Sequence, residues 1–416
     1  MSVFETYLRD EVFIAGGQPS VTYVERGDED VARKLARAIS IPNQIVSLAG
    51  PTKTGKTVLC RRILGQREFI WIDGGQISSA SELWNRIASE LRIPSETIST
   101  VGGQQSGTVT GQIPLVATAS GSLLRSDAKA EKRVAHTMAE SLNFMINDKI
   151  ILVIDDFHYL DDQSRIDVMR NVKGAVFNGL KVVLLSVTHR AFDAIKAETE
   201  LTGRFVSINL PNWHLDDLRQ IANLGFAALN VKCSELLINK LSDESQENPF
   251  LMQKFCWEIC FANNIDKTAH FSHHSISDDY DLQSIFMSLA EDSGLPIYQQ
   301  LAAGPQSRKV RAKRPLKNGR NADIYEATLL ALAETGPKAI VTYDELRAAL
   351  NDILSDMVPQ KHEITSALKH LAVISRKIGA ESAIDWDEQK RAVNIADPYL
   401  RFYLRWKIRE KHVLPV

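Results

Sequence analysis

Runs of consecutive apolar residues recur through the first half of the chain. Between them, apolar residues return every three or four positions. The runs are "NQIVSLAG" (43–50), "REFIWIDGG" (67–75), "DKIILVIDDFHYL" (148–160) and "LKVVLLSVTHR" (180–190). A strand apolar at nearly every position has both faces covered, and the periodic segments between such strands read as amphipathic helices. "SASELWNRIASELRI" (79–93) is one of these, with Ser78 or Ser79 placed to cap it and Glu82 near its first turn. Strands alternating with helices predict an α/β fold, a parallel sheet with helices on both faces. Upstream, "GGQPSVTYVERGDEDVARKLARAI" breaks at Gly and Pro and is extended from Val21 to Val24. It then sets Val31, Leu35, Ala36 and Ile39 at helical spacing.

After about residue 210 the strand pattern stops. "LPNWHLDDLRQIANLGFAALN", "CSELLINKLSDESQ" and "ENPFLMQKFCWEICFANN" are consecutive helical patterns. Further on, "DIYEATLLALAETG", "TYDELRAALNDIL" and "QKHEITSALKHLAVISRKI" are three more, followed by "SAIDWDEQKRAVNI", which reads as a two-stranded wing. The expected organisation is a sheet domain over 1–210, a helical lid over 211–299, a basic linker over 300–321 and a winged-helix domain over 322–416. Residues 94–124 depart from their surroundings: Gly, Ser and Thr dominate and Glu96 is the one charged residue. Alternation there suggests a hairpin, Thr108–Gly111 against Leu115–Ala119, on a surface loop or on an insertion that meets a neighbouring subunit.

Composition narrows the class without naming it. A length of 416 residues exceeds one ordinary core, so two or three domains are expected. Hydrophobic and charged shares of 44% and 24% are those of a soluble globular protein. A net charge of -2 argues against a chain coated in positive charge, though not against a local patch. The four cysteines, Cys60, Cys233, Cys256 and Cys260, lack metal-site or disulfide spacing, and Cys256 and Cys260 are set to share one buried helical face. That usage fits a reducing, cytoplasmic setting. "MSVFETYLRDEVFI" carries acids early and lacks a secretory apolar stretch, and no run of about 18 apolar residues marks a membrane span.

The candidate chemistry begins at "GPTKTGKT", where Gly50 is followed after four residues by Gly55, Lys56 and Thr57. Between a strand and a helix this is a phosphate-binding loop. Glycines let backbone N–H groups turn inward, and the following helix offers the positive end of its dipole. Gly50, Thr52, Lys53, Thr54, Gly55, Lys56, Thr57 and Val58 form the cradle. Lys56 reaches the β- and γ-phosphates and the Thr57 hydroxyl binds Mg2+. The second Mg2+ anchor is expected at Asp155 in "ILVIDD", with Asp156 orienting or deprotonating the attacking water. His158 reads as a packed loop histidine. Ser186 or Thr188 in "SVTHR" stands where a hydroxyl meets the water or γ-phosphate, and Arg190 is the candidate reader of its charge. Lys53 has no evident role.

A second feature is "SRKVRAKRPLKNGR" (307–320), with Arg308, Lys309, Arg311, Lys313, Arg314, Lys317 and Arg320 and no acid. Gripping nucleic-acid phosphates is one reading of the run, a solvated linker the other. The helix "HEITSALKHLAVISRK" offers His362, Thr365, Ser366, Lys369 and His370 on polar faces suited to a DNA groove. His270, His273 and His274 read as a polar loop rather than a metal site.

A phosphate loop, then "IDD", then "VTHR", then a helical lid resembles the STAND branch of AAA+-related ATPases. The resemblance covers about 20–260 well and the tail moderately, where "IADPYLRFYLRW" (395–406) is similar to the closing helix of archaeal-type ATPases. It implies an ATPase that binds ATP or ADP with Mg2+, an Arg190 that senses the γ-phosphate, and a Pro249 that lies against adenine. The family's Gly-x-Pro lid signature lacks its glycine here, where "ENPF" stands. It also implies that Tyr23, Val24 and Arg26 lie near the base. Slow hydrolysis, conformational switching, self-association in the ATP state and a separate effector protein follow from the same resemblance, in prokaryotic defence or mobile-element control. The alternative is a DNA-binding AAA+ ATPase of the replication-initiator or transposition-regulator type, whose usual lid arginine has no evident counterpart.

Overall fold

A computed structural model of the chain describes residues 5–26, 31–93, 137–187, 204–277, 280–307, 310–336, 338–378 and 382–409. The chain forms two compact units. One comprises Asp30–Ala49 and Leu59–Asn209; the other comprises Met1–Glu29, Gly50–Val58 and Leu210–Val416.

The first unit is built on five parallel strands: β1 (Ile45–Ala49), β2 (Phe69–Asp73), β3 (Ile151–Asp155), β4 (Lys181–Ser186) and β5 (Phe205–Asn209), in the order β2-β3-β4-β1-β5. The four apolar runs of the sequence supply β1 to β4. Their register stacks side chains in rows. Ile70, Leu152, Val182 and Ile45 align across the sheet, and Ile72, Ile154 and Leu184 form the next row on the same face. Those rows pack with Leu83, Trp84 and Ile87 of a helix over Ala80–Glu90, and with Val168, Met169 and Val172 of a helix over Asp162–Phe177. The intervening residues Val46, Leu48, Val153, Val183 and Leu185 are buried as well, and the helix Val31–Ser40 packs against β1 and β5. Cover on both faces is why these strands carry almost no polar residue. Ser79 caps the helix Ala80–Glu90 by accepting from the Glu82 N–H, while Glu82 accepts from Ser78.

The second unit is mostly helical. An N-terminal turn, Arg9–Val12, buries Val12, Phe13 and Val24 with Leu218, Ile221 and Phe226 of α1 (Leu215–Leu229) and Met252, Phe255 and Cys256 of α2 (Pro249–Ala262). Cys256 and Cys260 share the buried face of α2. Between α1 and α2 lies Glu235–Glu244; beyond them α3 (Leu282–Ala303) runs for 22 residues. A separate core gathers Leu329, Leu346, Leu368 and Leu371 from α4 (Ile324–Glu334), α5 (Tyr343–Ile353) and α6 (Lys361–Ile378). Beside them β6 (Ile340–Thr342), β7 (Ile384–Asp387) and β8 (Ala392–Ile395) form an antiparallel sheet in the order β6-β8-β7. The two strands expected in "SAIDWDEQKRAVNI" form as β7 and β8, and β6 pairs with β8 beside them. The last described elements are α7 (Pro398–Tyr403), whose Asp397 cap precedes it, and a π-helical turn in which Arg405 and Trp406 both donate to Glu244. Among the described residues no helix is long and apolar enough to cross a membrane.

Candidate functional site

The loop from Gly50 to Val58 joins β1 to a helix over Lys56–Leu64. Gly55 holds φ at +95°, a region that glycine reaches without strain, and Lys53 sits at +59°. The loop's carbonyls are heavily engaged. Lys56 is buried, and its ammonium donates to the carbonyls of Gly50 at 3.1 Å and Pro51 at 2.9 Å. The Thr54 hydroxyl also donates to Pro51, at 2.7 Å. From outside the loop, the Asn248 amide donates to the Thr52 carbonyl at 3.1 Å and the Trp213 indole N–H to the Thr54 carbonyl at 2.9 Å. The Thr52 hydroxyl is buried with no partner among the described residues. A buried cation, a helix N-terminus and a glycine-shaped turn together make a cradle for an anion.

Asn248 has a second role. Its side-chain oxygen caps α2 by accepting from the Phe250 N–H at 3.0 Å, and Pro249 takes the first helical position. Pro249 thus stands one residue beyond a side chain that holds the phosphate loop. Arg26 donates to the carbonyls of Pro211 and Asn212, and its guanidinium lies 5.1 Å from the Trp213 ring centre. Val24 is buried and Tyr23 half-buried. Sequence reasoning missed Trp213; its signal was a tryptophan in "LPNWHLDD", directly before a helix start.

Lys53 has partners after all. Its ammonium lies 3.5 Å from the Asp397 carboxylate, 3.8 Å from the Tyr399 ring centre and 5.4 Å from that of Phe250. The two rings meet edge to face at 5.2 Å.

In the sheet unit, Asp155 ends β3 opposite Asp73 of β2, and one of its oxygens accepts from the Asp156 N–H at 3.0 Å. Asp156 adopts the left-handed conformation, φ 51°. Gly74 allows this bend: a Cβ there would stand 2.8 Å from the Asp156 carbonyl oxygen and 2.9 Å from that of Asp155. On β4, Ser186 is in register with Ala49, the residue before the loop. Its hydroxyl is buried with no partner among the described residues. Burial pushes the nearby Cys60 thiol up to about 12, with the Asp155 charge adding to it. His158 is half-buried with its ring 4.3 Å from that of Tyr159. Thr188, Arg190, Arg308, Lys309 and the 94–124 segment lie outside the described residues.

Four of the five described residues of the basic run bond within the chain. Arg311 donates to the carbonyls of Ala303 and Pro305 and pairs with Asp323 at 3.0 Å; Arg314 pairs with Glu363 at 2.7 Å. Lys317 donates to the Asn351 carbonyl at 3.1 Å and Arg320 reaches Glu326 at 3.5 Å, while Lys313 is exposed. Arg314–Pro315 and Asn321–Ala322 pair as a short antiparallel ladder. On α6, Lys369 pairs with Glu388 at 2.9 Å and His370 bonds the Tyr325 hydroxyl at 2.8 Å.

No protein-family model and no curated protein matches the chain. Solved structures share its fold. A Walker-type ATPase of Pyrococcus abyssi aligns with 92% of this chain and 99% of its own at 14% identity, with a TM-score of 0.52. The Aeropyrum pernix ORC2 protein, determined in ADPNP–ADP complexes, aligns with 97% of this chain and 98% of its own at 12% identity, with a TM-score of 0.50. The fold shared with these ATPases is a five-stranded parallel α/β sheet with helices and a helical C-terminal region.

Proposed function

We propose that the chain is an Mg2+-dependent P-loop ATPase of low turnover that works as a nucleotide-controlled switch of conformation and self-association, as the STAND branch does. The observation that carries this reading is the phosphate loop. Its glycine turn, buried Lys56 and following helix N-terminus suit an anion. Lys56 binds the β- and γ-phosphates. The Thr57 hydroxyl and the Asp155 carboxylate are hard oxygen donors suited to Mg2+, which neutralises charge on the phosphates when bound. Asp156 orients the attacking water and takes its proton. Ser186, whose hydroxyl is buried and unpartnered among the described residues, supplies a hydrogen bond at the end of β4, and Arg190 steadies the γ-phosphate charge. Tyr23, Val24, Arg26 and Pro249 face the base. One arginine gives modest transition-state stabilisation, hence slow turnover.

Residues 322–416 act as a winged-helix packing module, and the setting is cytoplasmic, with a separate effector in prokaryotic defence or mobile-element control. The internal engagement of Arg311, Arg314, Lys317 and Arg320 favours the switch over a DNA-gripping initiator or transposition regulator. Phosphate release from ATP with Mg2+ tests the enzymatic part. Wild type should turn over slowly, Asp156→Asn more slowly still with nucleotide retained, and Lys56→Ala should neither bind nor hydrolyse. Turnover in Lys56→Ala equal to wild type overturns the reading.

A further inference from the structure

Four loop carbonyls are engaged, but by different means. Those of Gly50 and Pro51 are bonded by Lys56 and Thr54, from within the loop itself. Those of Thr52 and Thr54 are bonded by Asn248 and Trp213, which belong to the helical region. In a planar trans peptide the C=O of one residue and the N–H of the next point in opposite directions. Holding the Thr52 carbonyl therefore fixes the Lys53 N–H on the opposite side, and holding the Thr54 carbonyl does the same for the Gly55 N–H. Lys53 and Gly55 are also the two loop residues with positive φ, 59° and 95°, so their peptides are the ones whose orientation shapes the concave face. Asn248 is buried to 2% exposure, so a Thr52 carbonyl deprived of it would have no water to turn to.

We propose that Asn248 and Trp213 are positioning residues for the nucleotide's phosphates: they turn the N–H groups of Lys53 and Gly55 into the cradle and so make phosphate affinity depend on where the helical region sits. The inference deepens the ATPase reading and rests on it. Neither residue touches the phosphate. Both act through a carbonyl that they hold on the far side of the peptide, in the way a flipped peptide would empty a preformed anion site of its donors. The dependence on the helical region follows from where the donors come from. Asn248 is the cap of α2 and Trp213 precedes α1, so a shift of either helix relaxes one peptide of the cradle.

Two variants separate positioning from packing. Asn248→Ser keeps a side-chain oxygen to cap Phe250 and withdraws the amide donor to Thr52 without adding a charge beside the loop. Trp213→Phe keeps a ring beneath Arg26 and removes the N–H together with the rest of the indole's five-membered ring. Displacement of a fluorescent ADP from the full chain by ADP, pyrophosphate and adenosine gives the readout, with melting temperature alongside. Each variant should bind ADP and pyrophosphate about tenfold more weakly, the loss of roughly one oriented hydrogen bond, with adenosine affinity unchanged; melting temperature should fall modestly, since a buried carbonyl loses its partner. Unchanged ADP affinity in both variants overturns the inference. So does an equal fall in ADP and adenosine affinity, which marks a packing role. A wild-type chain that binds no ADP overturns the ATPase reading and this inference together, whereas wild-type binding with unaffected variants overturns this inference alone.

Discussion

The Lys53 ammonium rests between the Asp397 carboxylate, at 3.5 Å, and the face of the Tyr399 ring, at 3.8 Å from its centre. The first residue lies in the phosphate loop and the others begin α7, near the end of the chain. Asp397 is used twice, since its other oxygen caps α7 by accepting from the Leu400 N–H at 2.8 Å. Both side chains are largely shielded, at 28% and 13% exposure, so salt screens the pair less than it would a surface pair. A double-mutant cycle of Lys53→Ala and Asp397→Asn, read by urea unfolding, should give a coupling of about 0.5–1 kcal/mol. Asn keeps the cap, so the cycle isolates the ion pair. Additive losses would mean that the pair contributes nothing.

Gly74 sets the path of the two acids. A side chain there meets the Asp155 and Asp156 carbonyls inside 3 Å, and both atoms belong to backbone rather than to a flexible side-chain tip. Gly74→Ala should therefore lower stability by about 1–3 kcal/mol, as overpacking does. It should slow ATP hydrolysis more than it weakens ADP binding. Equal effects on turnover and binding would show that the bend at Asp156 has no part in the chemistry.

Glu244 anchors the tail. It is buried and accepts from Arg405 at 2.7 Å and from the Trp406 indole N–H at 2.8 Å. Glu244→Ala leaves the buried Trp406 donor unsatisfied and should cost about 2 kcal/mol by urea unfolding. The loss should appear first as faster hydrogen exchange of the helix ending at Tyr403. Exchange unchanged there would mean that aromatic packing of Phe402 and Trp406 alone holds the tail.

Glu345 provides a pH signature. Its carboxylate is held down to about 2, from an ordinary 4.5, chiefly by the Lys338 ammonium and then by the Thr342 N–H and hydroxyl of its capping box. A lowered folded-state value means that the unfolded chain takes up the proton first. The contribution is present above pH 4.5 and is lost as pH falls toward 2. The group is exposed, so the effect is small. The stability gap between wild type and Glu345→Gln should shrink over that interval, and a gap that stays constant would remove Glu345 from the acid response.

The sequence made some of this legible and hid the rest for physical reasons. β1 to β4 were readable because full burial forces near-continuous apolar runs, and the Ser78–Glu82 cap because capping is local. The turn from β1 into the helix Lys56–Leu64 was readable because its glycines and Lys56 lie within a few residues of one another. β6 was hidden: it is three residues long, Ile340 is exposed, and the Thr342–Glu345 capping box beside it reads as a helix start. The partners of Lys53, Thr52 and Thr54 were hidden because each contact joins segments far apart in the chain, and no local spacing encodes them. The partners within the basic run were hidden as well, since Arg314 and Glu363 find each other only once the ladder at Arg314–Pro315 and α6 are folded.

The central claim is that nucleotide, not DNA, sets the state of this chain. Its most direct test is the mass of the full chain in solution with ADP or with a slowly hydrolysed ATP analogue and Mg2+, each with and without duplex DNA. The account predicts a larger assembly with the analogue alone, a smaller species with ADP, and no dependence of either on DNA. A mass indifferent to nucleotide, or one that grows only when DNA is added, would contradict it.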